Sequence, residues 1–329
     1  MRNFYRGNVS QFCMKRIKVR SIYLVFFILC GVNSWAASSD SAYVQPHKGS
    51  FTLKTRLYNN IFALNVRSLK ENNETTYATN NPMNLGFGIS HPKLPVDLFM
   101  GFGLGALPND EYLRTKSFDF QIHKYGRRVV VDLFVQDYNG FYIEDSKLTP
   151  NEANCHDLSA FEIGLVAQYV FNGDKFSYQA AFNQNERQLK SVGSLLLGGG
   201  VYYFDIQSDG SLEPNMQKTM RSTQFGVNIG YSYNWVISKS WLVNGSLSLG
   251  ANLGNDNINT FFNRQLYVNP MSLVRIATVY DKKRWALSFS FVLNMVGVEY
   301  NKDVESNLSF GRFNLSYLHR FNLSKVFEK

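Results

Sequence analysis

Cysteine is nearly missing from this chain: of 3 residues, Cys13 and Cys30 precede residue 37 and only Cys155 follows. One thiol cannot close an internal disulfide, so the fold must be held by its secondary structure. Long hydrophobic runs are also missing. After residue 37 no stretch reaches 18 apolar residues, which excludes a spanning helix there and leaves strands as the only route through a bilayer. Charge is scarce, at 18% of residues, and acids are absent from the first 36 positions. The formal net charge of +9 is largely local, because Arg2, Arg6, Lys15, Arg16, Lys18 and Arg20 crowd that segment. Removing those six from 34 bases leaves 28 against 25 acids, or +3, too little for a nucleic-acid footprint. The 5 histidines are scattered without ligand spacing, so neither a metal nor any other cofactor is expected.

What the chain has in abundance is period-two alternation between about residues 51 and 321. Phe225-Gly226-Val227-Asn228-Ile229-Gly230-Tyr231-Ser232-Tyr233-Asn234-Trp235 is the longest clean instance. Such alternation puts aromatic and branched residues on one strand face and glycine, serine and amides on the other. The polar face of a soluble sandwich would carry lysine and glutamate. Here it is small and mostly uncharged, while 27 Phe and 19 Tyr crowd the apolar side. That pairing predicts an all-β, antiparallel transmembrane barrel with lipid outside and a polar lumen.

Residues 1–36 read as a secretory leader. Met14 to Arg20 is a basic n-region with Met14 an alternative start, Ile22 to Cys30 a short apolar h-region, and Ser34-Trp35-Ala36 a small-x-small cleavage site. The domain reading is then a polar lead-in at 37–50, a barrel at 51–321 and a tail at 322–329.

Thirteen strand-like runs lie near 51–66, 83–91, 95–104, 115–125, 127–139, 160–172, 175–184, 194–207, 222–237, 241–252, 270–280, 285–298 and 308–321. An antiparallel bacterial barrel closes with an even number, so about 12 strands are expected, with 14 next. The suspect runs are 51–66 and 194–207, the latter interrupted by Gly198-Gly199-Gly200. Tight connections sit at Tyr125-Gly126, Ser238-Lys239-Ser240 and Asp281-Lys282-Lys283. Phe171-Asn172-Gly173-Asp174 is the strongest hairpin signal, since Asn-Gly accepts positive φ. Longer polar stretches at 67–82, 105–114, 140–158, 185–193, 208–221 and 253–269 form the opposite end, the arrangement of outer-membrane barrels.

A Lys or Arg at mid-bilayer on the lipid face costs roughly 2–4 kcal/mol, so charges mark the inner face. Val129, Val131, Leu133 and Val135 should face lipid, with Arg128, Asp132 and Gln136 inward. Trp285, Leu287, Phe289 and Phe291 should face out, and Arg275 in. Trp235, Trp241 and Trp285 sit beside tight turns, where an interfacial belt of rings is expected. The candidate site is a lumenal polar network of Asp119, Gln121, His123, Arg128, Asp132, Gln136, Glu162 and Arg275. Its functional reading is a ligand or ion path, or an acid–base pair on His123; its structural reading is a self-satisfied plug. Ser117 and His123 lie ~20 Å apart along one strand and make no dyad, so no catalytic residues are assigned. Gly101-Phe102-Gly103-Leu104-Gly105-Ala106 fits a loose dinucleotide fingerprint, but the following Pro108-Asn109-Asp110 supplies no helix. These glycines are read as small lumenal positions.

From Tyr43 to about Phe321 the chain resembles an uncharacterised family of Bacteroidota outer-membrane β-barrel proteins, a domain of unknown function. The resemblance rests on Tyr43, Pro46, Thr115 to Asp119, Tyr125, Arg128, Asp132, Gln136, Tyr138 to Tyr142, Ser191 to Ser194 and Gly230 to Trp235. It implies an exported barrel and brings no activity. The final run to Phe321 also resembles the aromatic-ended strand by which the barrel-assembly machinery takes its clients. The sequence therefore predicts an outer-membrane protein of a Gram-negative cell with lipid and assembly machinery as partners. Its expected role is a narrow channel, small-ligand binder or structural surface protein. A lipid- or lipopolysaccharide-modifying membrane enzyme and a soluble secreted β-barrel binding an apolar ligand are the alternatives.

Overall fold

A computed structural model describes residues 39–47, 50–90, 98–105, 110–145, 147–210, 212, 219–255, 266–300 and 304–322. The leader at 1–36 and most of the tail lie outside the described residues. The wall strands are β2 (Ser50–Ser68), β3 (Asn73–Ala78), β4 (Asn84–Ser90), β5 (Leu98–Gly103), β6 (Lys116–Tyr125), β7 (Val129–Ile143), β8 (Asn154–Val170) and β10 (Val192–Gln207). They continue with β11 (Thr219–Ser238), β12 (Trp241–Asn255), β13 (Tyr267–Asp281), β14 (Trp285–Tyr300) and β15 (Val304–Asn322). All pair antiparallel, and β15 pairs with β2 along its whole length to close the sheet. Two short strands, β1 (Val44–Pro46) and β9 (Glu186–Gln188), form a separate ribbon.

The closed hydrogen-bonded ring has ten members: β2, β3, β7, β8, β10, β11, β12, β13, β14 and β15. This corrects the expected count of 12. Tyr77 and Ala78 of β3 pair directly with Ile143 and Tyr142 of β7, which shuts the ring at the loop end and leaves β4, β5 and β6 outside it. β4 and β5 extend the sheet from β2, and β6 extends it from β7. The two suspect runs are each a single strand. Gly198 to Gly200 stay in unbroken register with β8 and β11.

The surplus run was 175–184. Instead of a strand, the chain after β8 turns into the barrel and forms a π-helical turn, Gln179–Asn183, before β9. Its Tyr178, Ala180, Ala181 and Phe182 give it a strand-like apolar look, and the barrel interior supplies the burial they need. The hairpin expected at Asn172-Gly173 is the turn that sends the chain inward: Lys175 and Phe176 donate backbone N–H to Asn172 O at 3.1 and 2.8 Å. Glycine is required at 173 because a Cβ there would stand 2.2 Å from Arg127 O. The stretches 67–82, 140–158 and 185–193 are correspondingly less loop-like than expected. They hold β3, a four-residue helix α1 (Pro150–Ala153) and β9.

Alternation on β11 follows the sequence. Phe225, Val227, Ile229, Tyr231 and Trp235 are exposed, while Gln224, Asn228, Ser232 and Asn234 are buried. On β13 Ile276 and Tyr280 are exposed and Arg275 is buried; on β14 Leu287 and Phe289 are exposed and Ser288 and Asn294 buried. β7 keeps the expected phase, with Asp132 and Gln136 inside, but its outer Val131 and Leu133 are covered as well.

Aromatics are not confined to the outer face. Phe62, Phe134, Tyr138, Phe141, Tyr202, Phe204 and Phe310 are buried inside, where they fill the loop-side half of the lumen. The lumen, expected to be polar, is therefore polar only in part. On β15 the outward residues of that half are Glu305, Asn307 and Ser309, whereas nearer the short turns they are Leu315, Tyr317 and Phe321. The loop-side half of that wall is thus apolar within and polar without, like a soluble core.

Candidate functional site

The lumen is crossed by side chains from opposite walls. β7 and β13 stand five places apart in the ten-member ring, directly across it. Arg275 of β13, 0% exposed, nevertheless forms an ion pair with Asp132 of β7. Its other terminal nitrogen donates to Gln168 Oε1 of β8 at 2.6 Å. Gln168 Nε2 then donates to Asn228 Oδ1 of β11 at 2.7 Å and Ser248 Oγ of β12 at 2.9 Å. On the far side Asp132 Oδ1 meets His123 Nδ1 of β6 at 2.7 Å, and His123 Nε2 meets Gln121 Oε1 at 3.1 Å. One bonded chain therefore ties six strands across the barrel axis. A buried guanidinium is tolerated only with a carboxylate and further acceptors around it, and this arrangement supplies both.

A second cluster centres on Asp119 of β6. Its Oδ2 accepts from Gln136 Nε2 at 2.8 Å, Tyr138 Oη at 2.5 Å and Gln121 Nε2 at 3.1 Å. Arg312 of β15 approaches Oδ1 at 3.3 Å, donates Nε to Asn60 Oδ1 at 2.6 Å, and lies 4.7 Å over the Tyr58 ring. Toward the loops the lumen is filled by rings. Phe310 of β15 meets Phe134 of β7 edge-on at 5.3 Å and Tyr202 of β10 at 6.4 Å, and β10 again lies opposite β15 in the ring.

At the short-turn end the segment 171–191 stops the barrel. Tyr178 Oη shares a hydrogen bond with Ser246 Oγ at 2.8 Å, and Asn234 Nδ2 donates to Ser177 O and Gln188 Oε1, each at 3.0 Å. Lys54 Nζ donates to Asn183 O at 3.0 Å and Arg320 to Gln184 O at 2.8 Å. Arg127 pairs with Glu186, while Asp281 collects Arg187, Arg320 and His47 at 3.0, 2.7 and 3.2 Å. The N-terminal lead-in takes part, since Val44–Pro46 pairs with the plug strand β9.

Six of the eight expected network residues thus join the two bonded clusters: Asp119, Gln121, His123, Asp132, Gln136 and Arg275. Glu162 lies in the lumen, paired in register with Gln136, but its carboxylate finds no hydrogen-bond partner among the described residues. Arg128 is drawn to the rim, where it binds Asp174 Oδ1 at 2.5 Å and Tyr169 Oη at 3.0 Å. Sequence reasoning missed Arg312, Gln168, Tyr138 and the plug. Arg312 carried the same signal as Arg275, a base at an inward position of an alternating strand. Trp235 and Trp241, 45% and 49% exposed, flank the β11–β12 turn, and Trp285 packs on Tyr280 at 5.8 Å. Gly101 and Gly103 lie in β5.

His123 is occupied by a carboxylate and an amide, with no hydroxyl or thiol among its hydrogen-bond partners within the described residues. Among the described residues no group of three or more His, Cys, Asp and Glu could hold a metal.

A family model described as Domain of unknown function (DUF4421) matches residues 38–321. The chain belongs to that family. Curated proteins give no match. Among solved structures it is similar to OmpT, an outer membrane protein of Vibrio cholerae, at 6% identity and TM-score 0.27 over 82% of this chain and 98% of that one. It is similar to the Pseudomonas putida toluene transporter TodX at 8% identity and TM-score 0.24 over 87% and 96%. The outer membrane channel DcaP of Acinetobacter baumannii gives 11% identity and TM-score 0.21 over 87% and 100%. Similarity at this level fixes neither strand number nor role.

Proposed function

We propose that this chain is an exported outer-membrane protein whose barrel is closed to ions, acting as a binding or structural surface protein. An outward belt of Leu195, Val227, Leu249, Ile276, Leu287 and Leu315, among others, runs round the wall from β10 to β15. Water would leave such a belt as a contiguous apolar patch, whereas lipid accepts it. Trp235 and Trp241 at its short-turn edge support an interfacial position there. The belt favours a membrane over the soluble alternative, and the resemblance stated above supports a Bacteroidota source. Leader cleavage before residue 37 and insertion by the barrel-assembly machinery belong to the same proposal.

The observation that carries the closed reading is the Arg275–Asp132 pair. Two side chains rooted on opposite walls can touch only where no pore separates them. Ring packing above and the plug below close the same axis. Purified full-length protein in planar bilayers should therefore show no unitary conductance steps. Steady steps in wild-type protein would overturn this reading.

A further inference from the structure

Glu162 stays outside both bonded clusters, although it is 0% exposed and faces the lumen. Neither carboxylate oxygen has a hydrogen-bond partner, and no ion pair reaches it among the described residues. Arg275 and Arg312 place their charge on Asp132 and Asp119 instead. Burying a carboxylate on those terms is costly. Two neighbouring oxygens share its condition. Gln136, its register partner on β7, commits Nε2 to Asp119 Oδ2 at 2.8 Å and leaves Oε1 without a partner. Tyr202 of β10, 0% exposed, leaves its Oη without one. The three residues stand on adjacent strands, β7, β8 and β10. Gly164 lies two residues along β8 from Glu162, on the same face, paired with Phe134 on one side and Tyr202 on the other. A Cβ there would stand 2.9 Å from Tyr202 Cδ1 and 3.4 Å from Glu162 Oε1, so ring and carboxylate converge over one glycine.

We propose that Glu162, Gln136 and Tyr202 form an internal site for a small monovalent cation of the sodium class. Four buried oxygens serve it: two from Glu162, Oε1 of Gln136 and Oη of Tyr202. A proton on Glu162 would answer to one of them, whereas a hard cation is attracted to all four. A single uncompensated carboxylate matches a single positive charge, because Asp119 is already taken by Gln136, Tyr138, Gln121 and Arg312. The buried rings of Phe134, Tyr202, Phe204 and Phe310 keep the ion small. The site lies on the loop side of the Arg275–Asp132 pair, so filling it requires no passage through the barrel.

The test titrates full-length protein in micelles at neutral pH with sodium chloride, replacing N-methylglucamine chloride at constant ionic strength. The backbone amide signals of Gln136, Glu162, Gly164 and Tyr202 should shift saturably with sodium, while that of Val227 on the outer wall stays still. Glu162→Gln, close in shape but uncharged, should abolish the shifts. Tyr202→Phe keeps the ring and removes one oxygen, and should raise the half-saturating sodium concentration about tenfold. That variant carries the test if Glu162→Gln does not fold. Shifts that follow pH and ignore sodium would show that Glu162 takes a proton, and would overturn the site. Saturable sodium shifts that survive Glu162→Gln, or an unchanged half-saturation in Tyr202→Phe, would do the same. Conductance in planar bilayers tests the closed barrel separately, so either reading can fail without the other.

Discussion

At Arg275 the cost of a single side chain can be stated. It is fully buried with its partner Asp132, and removing it leaves a carboxylate in the lumen that keeps the His123 hydrogen bond but loses its guanidinium partner. Arg275→Met should cost about 3–5 kcal/mol, read from denaturant unfolding in micelles. Adding Asp132→Asn should recover part of that loss, because the uncompensated charge disappears. A double variant as unstable as the sum of the singles would show that the pair is not the source. On the outer face the sign reverses. Val227, 70% exposed at mid-belt, should tolerate leucine but lose roughly 2–4 kcal/mol on Val227→Arg. If arginine were neutral there, the belt would not be facing hydrocarbon. These residue-scale features were legible because a charge or amide inside an alternating strand has only one affordable side to face.

Among the elements, the plug separates legible from illegible structure. Strands β11 to β14 followed from alternation, since each buries one face whatever its neighbours are. The segment 171–191 did not. Tyr178 and Ala180 to Phe182 read as a strand run because their burial depends on Tyr125, stacked on Phe182 at 4.8 Å, and on Ser246, distant in the chain. Asn234 is the wall residue to test, holding both Ser177 O and Gln188 Oε1. Asn234→Ala should destabilise by about 1–3 kcal/mol, because the buried Ser177 carbonyl loses this donor while Gln188 Oε1 keeps only the Ser177 N–H. Hydrogen exchange should then show lost protection across 176–188 with the ladders of β11 to β14 unchanged. Loss of protection spread evenly over the wall would mean that the plug is not a separate unit.

For the whole molecule, the expected fractionation is with the outer membrane, with release by detergent and not by osmotic shock. Release with the periplasmic contents would contradict the outward belt. The sequence by itself determined the all-β class, the phase of β7, β11, β13 and β14, and the candidate set from Asp119 to Arg275, because period-two alternation is local and needs only the chain's own neighbours. Tertiary structure alone decided that ten strands close the ring, that rings fill half of the lumen, and that Arg275 reaches Asp132. Those outcomes depend on which strand lies opposite which, with partners 143 residues apart for Arg275 and Asp132 and 193 apart for Arg312 and Asp119. Residues so far apart in the chain meet only when a closed sheet brings its far walls within reach of one side chain.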